Sequence, residues 1–190
     1  AGMLYYMPQA WASDNTDPIE RLTIQFGTTM CYPASSMGAH VSACDRTGIE
    51  TKAAVAMAGT FGYELDPKEM SEEDKEKVKE QVKNYHRYYN VIHFGDLYRI
   101  IAPTDDEFKC AWEYVAKDKS EALLTVVIKN RATHDFLLIK MKGLDPEKMY
   151  RDETDGEIYS GALLMNAGIN LTDGTLSAGR SFIRYFTEVK

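Results

Sequence analysis

The strongest constraint on this chain is a change of pattern near residue 96. Before it, short apolar runs alternate with stretches of helical periodicity; after it, short strand-like runs follow one another with turn residues between them. This divides the 190 residues into a strand-helix part, 1–95, and an all-β part, 96–190. Two or three strand-helix units cannot close a parallel barrel, which takes eight units and about 250 residues. The expected fold class is therefore α/β plus all-β: the last units of something larger, followed by a complete β-module.

In the first part, Leu4-Tyr5-Tyr6-Met7, closed by Pro8, reads as a buried strand. Asp17-Pro18-Ile19-Glu20 is a helix start, with Asp17 as N-cap, Pro18 at the first helical position and Glu20 completing a capping box. Ile19, Leu22 and Phe26 then share a helical face, and Gly27 is expected to end the helix. Met37–Val41 reads as a second strand or irregular crossing, and 53–65 as a buried segment rich in small residues. A long helix begins after Ser71. Val78, Val82, Tyr85, Tyr89 and Ile92 form its predicted apolar stripe, and its charged run, including Glu73 and Lys77 four residues apart, forms a solvated face.

Beyond Asp96, strands are predicted at 97–102, 110–116, 122–129, 136–141, 149–151, 157–159, 162–165 and 182–189, with Asp155-Gly156 as a hairpin signal. Short strands at this spacing predict an antiparallel β-sandwich of roughly 95 residues.

Composition narrows the function. Lys plus Arg number 22 against 29 Asp plus Glu, a net charge of −7, which argues against a protein that tracks nucleic-acid phosphates. No stretch approaches the roughly 20 apolar residues of a membrane span. The first residues have neither the basic region nor the long apolar core of a signal peptide. Cys31, Cys44 and Cys110 are an odd number without CxxC spacing, so reduced thiols and a cytoplasmic location are expected.

The richest polar segment is Trp11-Ala12-Ser13-Asp14-Asn15-Thr16-Asp17, between the first strand and the capped helix. Loops after the C-terminal ends of strands carry the active sites of α/β barrels and open α/β sheets. Asp14 lies three residues before the N-cap, so capping does not require it. A carboxylate beside Trp11 suits a sugar site; equally, Asp14 and Asn15 suit an Asx-turn leading into the helix. Asp17 is explained by its capping role. His40, His86, His93 and His134 show no metal spacing, and no glycine-rich phosphate loop occurs. His93, near the end of the long helix, would suit the helix dipole if charged. His40 lies in a plausible site loop, but a satisfied structural histidine is the plainer reading. No cofactor and no metal site is expected.

The segment Leu4–Asp17, with Glu20-Arg21-Leu22 and Ile24–Thr28, closely resembles the α-galactosidases of glycoside hydrolase family 36. Further matches follow in order: Tyr32-Pro33, Met37–Ala43, Ala54–Leu65, Ile92–Arg99, Trp112, Lys119–Ala122, Lys142–Pro146, Tyr150 and Leu164–Gly168. The resemblance implies the last units of a (β/α)8 barrel plus a C-terminal antiparallel β-domain. It also implies retaining hydrolysis of terminal α-1,6-linked galactose from raffinose, stachyose and melibiose. It maps the general acid/base onto Asp14 and makes Trp11 and Ser13 substrate-binding wall residues. The family's nucleophile is an Asp in a Trp-Asp motif, whereas here Trp11 precedes Ala12 and Trp112 precedes Glu113. The chain thus carries one half of the catalytic pair and is expected to be inactive alone. The glycine-rich loop that precedes the first strand in relatives is also absent, and the loop Cys44–Gly48 is shorter. The implied partners are a galactoside and the upstream barrel portion, and open barrel edges favour a homo-oligomer. Two alternatives stand beside this: a non-catalytic β-sandwich that caps or binds sugar, and α-N-acetylgalactosaminidase specificity.

Overall fold

The computed structural model describes every residue except Ala1, Asp45, residues 132–135, Thr175 and Lys190, together with the backbone but not the side chains of Met3 and Leu4. His134 lies outside the described residues. The chain forms two compact units, 1–89 and 90–190.

The first unit is built on three parallel strands, β1 (Ala10–Trp11), β2 (Met37–Ser42) and β3 (Thr60–Glu64), in the order β1-β2-β3. Parallel strands need crossovers, and helices α2 (Pro18–Cys31) and α3 (Ile49–Ala56) supply them. Side chains alternate along β2, so Met37, Ala39 and Val41 point one way and Gly38 and His40 the other. The first three are all buried. Helix α4 (Glu72–Phe94) starts at Ser71, whose Oγ accepts from the Asp74 N–H at 3.1 Å. Within this unit Tyr85 Oη donates to the Gly59 carbonyl and Tyr63 Oη donates to Gln81. These bonds hold α4 beside β3.

Several local expectations are corrected. Leu4–Met7 is not a buried strand: Gly2–Tyr6 forms a short helix, α1, and Tyr5 and Tyr6 are 85% and 83% exposed. Among the described residues no strand pairs with this segment, so bonds within a helical turn are what its backbone groups can make. Gly27 does not end α2, which runs to Cys31 and is closed by the Tyr32 N–H bonded to Thr28 O. In α4 the buried side chains are Tyr85, Tyr88, Val91 and Ile92, while Val82 and Tyr89 are exposed. The expected ion pair of Glu73 and Lys77 forms at 2.8 Å, and Lys77 also reaches Glu50 at 2.9 Å. His93 sits in the last turn of α4, but burial pushes its pKa down, which opposes the expected charge.

The second unit contains a six-stranded antiparallel sheet in the order β4-β5-β6-β11-β8-β9. Its strands are β4 (Asp96–Ile101), β5 (Lys109–Val115), β6 (Glu121–Ile128), β8 (Met149–Asp152), β9 (Ile158–Ser160) and β11 (Ser181–Glu188). A two-stranded ribbon of β7 (Leu138–Ile139) and β10 (Ile169–Asn170) accompanies it. Ala111, Leu124, Val126 and Phe186 of the large sheet share one buried cluster with Ile139, Leu164 and Ile169. The sandwich is therefore asymmetric, with a broad sheet and a narrow second layer. The hairpin at Asp155-Gly156 forms between β8 and β9, with Gly156 at φ +81. The run 162–165 is not a strand: α5 (Gly161–Asn166) occupies it, capped by Ser160 Oγ accepting from the Leu163 N–H at 3.1 Å. The strand expected over 136–141 is only Leu138–Ile139.

Candidate active site

The candidate site is centred on the C-terminal end of β1, which lies beside the N-terminal parts of β2 and β3. Trp11 ends β1 and pairs with Gly38, which pairs in turn with Thr60. A Cβ on Gly38 would meet Trp11 Cδ1 at 2.9 Å and the Ala10 carbonyl at 3.3 Å, so the glycine makes room for the indole. One pleat further, His40 stacks on Trp11 with centroids 4.3 Å apart and planes at 23°. Trp11, Gly38, His40, Thr60, Phe61 and Tyr63 are among the residues lining an open cleft of about 400 Å³.

The loop after β1 carries Asp14, which is exposed. Ser13 Oγ accepts from the Asn15 N–H at 3.0 Å, and Asn15 Oδ1 accepts from the Asp17 N–H at 2.8 Å. The turn that could have absorbed Asp14 is thus made by Ser13 and Asn15. Ser13 is half-buried and its hydroxyl is engaged within its own loop, while Trp11 is 56% exposed.

Asp17 behaves as a cap. Its Oδ1 accepts from the Ile19 N–H at 2.8 Å and the Glu20 N–H at 3.4 Å, and Oδ2 takes Arg46 Nη1 at 2.7 Å. Burial raises the Asp17 pKa, but the Arg46 and backbone hydrogen bonds outweigh it and hold the carboxyl below its ordinary value. The capping box is altered. Asn15 occupies the Asp17 N–H, and Glu20 instead accepts from Asn15 Nδ2 at 2.6 Å.

Beneath the loop lies a group of residues that sequence reasoning missed. Arg21 of α2 is only 2% exposed. Its Nη1 donates to the Asn15 carbonyl at 3.1 Å and lies 3.3 Å from both ring nitrogens of His40, and its Nε donates to Gln25 Oε1 at 3.2 Å. His40 Nε2 is 3.3 Å from Glu64 Oε2 at the end of β3. Burial and the Arg21 charge push the His40 pKa down, against the opposing pull of Glu64 and Asp14. The available signal was that Arg21 and Gln25 fall at helical spacing with Pro18 and Leu22, so two of the five buried residues of α2 are polar. Among the described residues no group of three or more His, Cys, Asp or Glu could hold a metal ion, and no helix is long and apolar enough to cross a membrane.

A parallel three-stranded sheet bearing an aromatic-lined cleft, followed in the chain by an antiparallel β-domain, matches the architecture expected from the sequence, and comparison with known proteins agrees. Residues 1–95 match the Melibiase family model, and residues 109–186 match the glycosyl hydrolase family 36 C-terminal domain. The chain belongs to glycoside hydrolase family 36. It is 44% identical to the bifunctional α-galactosidase/sucrose kinase AgaSK of Mediterraneibacter gnavus, with all of this chain and 21% of the relative covered. It is 42% identical to α-galactosidase AgaA of Geobacillus stearothermophilus, with 90% and 24% covered. The solved galactosidase domain of AgaSK superimposes with a TM-score of 0.93 at 43% identity, covering 99% of this chain and 27% of that one. The crystal structure of AgaB from Geobacillus stearothermophilus gives 0.93 at 39% identity over the same shares. The chain thus spans about a quarter of the length of the relatives it matches.

Proposed function

We propose that this chain supplies the acid/base half of a retaining α-galactosidase site, acting on terminal α-linked galactose of raffinose-type oligosaccharides and melibiose. The observation that carries the reading is the contrast between two aspartates three residues apart. Asp17 is consumed by capping and by Arg46, whereas Asp14 projects from the same loop beside an exposed Trp11, at the strand ends where such sites lie. The relatives' names support the reaction, and one solved relative is a complex with raffinose.

Retaining hydrolysis needs two carboxyl groups about 5–5.5 Å apart. One attacks the anomeric carbon and forms a glycosyl-enzyme; the other protonates the departing oxygen and then deprotonates the incoming water. In this reading Asp14 is the second group, and the nucleophile comes from residues outside 1–190, because no Trp-Asp motif occurs here. Trp11 provides an apolar wall for the sugar face. Domain roles follow: 1–95 contributes to the catalytic barrel, and 96–190 is a C-terminal sandwich domain.

The test uses a full-length family 36 enzyme carrying these residues. Asp14→Ala should slow raffinose by roughly 10²–10⁴, the contribution of general acid catalysis. An aryl galactoside with an acidic phenol needs little protonation, so its glycosyl-enzyme should still form and then accumulate. Added azide needs no deprotonation; it should intercept the β-linked intermediate and give α-galactosyl azide. Equal losses on both substrates, without azide rescue, would leave Asp14 as a turn residue.

A further inference from the structure

We propose that Arg21 and His40 are a positioning pair for this site: the guanidinium holds the Asp14 loop by its backbone at Asn15, and the imidazole holds the Trp11 ring, so that acid and aromatic wall keep one spacing. The inference rests on Asp14 being the acid/base. Its geometric basis is that one buried nitrogen, Arg21 Nη1, reaches both the carbonyl of the residue after Asp14 and the ring under Trp11.

The chemistry of the contact defines the protonation state. A guanidinium only donates, so the imidazole nitrogen bonded to Nη1 must carry a lone pair. His40 Nε2 faces Glu64. The consistent arrangement has Nε2–H donating to Glu64 Oε2 and Nδ1 accepting from Arg21, with the imidazole neutral. A second proton would remove the acceptor and set two cations side by side. Burial and Arg21 both hold the His40 pKa down, in agreement.

A packing role alone does not account for this. Arg21 is buried, its Nη2 has no hydrogen-bond partner among the described residues, and burial lowers its pKa. Apolar residues of similar volume often replace buried charges at no loss of stability. The helix-to-helix link, by contrast, is made by Gln25, whose Nε2 donates to the Val55 carbonyl of α3 at 2.8 Å. Misplacing a catalytic group by about 1 Å can cost on the order of 10²-fold in rate, which sets the scale expected when this pair is removed.

The experiment compares raffinose with an acidic-phenol aryl galactoside in the full-length enzyme carrying these residues. Arg21→Gln and His40→Ala should each lower kcat/KM on raffinose by about 10²-fold, lower that of the aryl substrate much less, and make the aryl glycosyl-enzyme accumulate. His40→Asn, whose carbonyl can accept from Arg21 but which offers no ring to Trp11, should recover only the part of the loss that comes from the loop. Arg21→Lys keeps the charge and the fold, but one ammonium cannot span Asn15, His40 and Gln25, so it should show the same substrate pattern. Gln25→Ala should lower the melting temperature without that pattern. Equal losses on both substrates, or losses that only follow melting temperature, with Asp14→Ala still discriminating between substrates, would overturn the positioning role alone. Failure of Asp14→Ala to discriminate would overturn the acid/base reading and this inference with it.

Discussion

Asp14 and Asp17 share a loop and a side-chain type, yet their surroundings differ: Asp17 is held by the cap and Arg46, and Asp14 is exposed. Asp17 was legible from sequence, because an aspartate before Pro18 with Glu20 three residues on has a local explanation. The bond from Asn15 to Glu20 was not, since the capping-box pattern does not say which donor Glu20 will find. Removing the cap with Asp17→Ala should destabilise the protein by about 1 kcal/mol, the usual value of an N-cap. The acid side of the stability profile should change as well. The Asp17 carboxyl titrates below its ordinary value in the fold, so its stabilisation is present above about pH 4 and is lost as pH falls through the lowered folded value. Thermal melts of the wild type and Asp17→Ala from pH 2 to 6 should converge at the acid end. Curves that stay parallel would show that the stabilisation by Asp17 does not depend on ionisation of its carboxyl.

Elements with one clear period were readable, and short apolar runs were not. Strands β5, β6 and β11 follow from β-branched and aromatic runs bounded by turn residues. Four apolar residues in a row fit a strand or a helical turn equally well. At 162–165 the Ser160 cap decides for helix, and at Gly2–Tyr6, which pairs with no strand among the described residues, a helical turn forms. Burial of a carboxyl inside a strand was also invisible. Glu113 on β5 is fully buried, on the face that Ala111 and Val115 turn toward the sandwich core. One oxygen accepts the Lys142 N–H and the other has no partner among the described residues. Burial is the main cause that pushes its pKa up, to about 8. The folded state therefore keeps a proton that the unfolded chain loses near pH 4. This contribution is fully present below that pH and is lost as pH rises through about 8. Glu113→Gln keeps an acceptor for Lys142 and cannot ionise. Chemical denaturation between pH 4 and 9 should find the variant's stability flatter with pH and higher than wild type at pH 8. An unchanged slope would show that Glu113 does not titrate in this window.

At the scale of the whole molecule, the proposed reading leaves these residues with one carboxyl group of the catalytic pair. Three parallel strands bear an open cleft lined by Trp11 and His40, and Asp14 lies in the loop after β1. Chemistry that retains configuration needs a second carboxylate to form the covalent intermediate, and a general acid without a nucleophile has nothing to assist. Glu64, the last residue of β3, is a carboxylate that contacts the site through His40. It is engaged with His40 at 3.3 Å, and in the arrangement above it accepts that ring's proton. That bond orients a neutral imidazole and leaves Glu64 a supporting role. Purified protein of residues 1–190 should therefore release no phenol from an aryl α-galactoside above the uncatalysed rate, even where the acid is not needed. Mixing it with the remaining barrel portion of a family 36 enzyme should restore turnover only if the two parts assemble, and Asp14→Ala in this chain should then remove raffinose hydrolysis first. Turnover by the isolated chain, abolished by Glu64→Gln and by Asp14→Ala alike, would instead make Glu64 the nucleophile and locate both carboxyl groups of the pair within these residues.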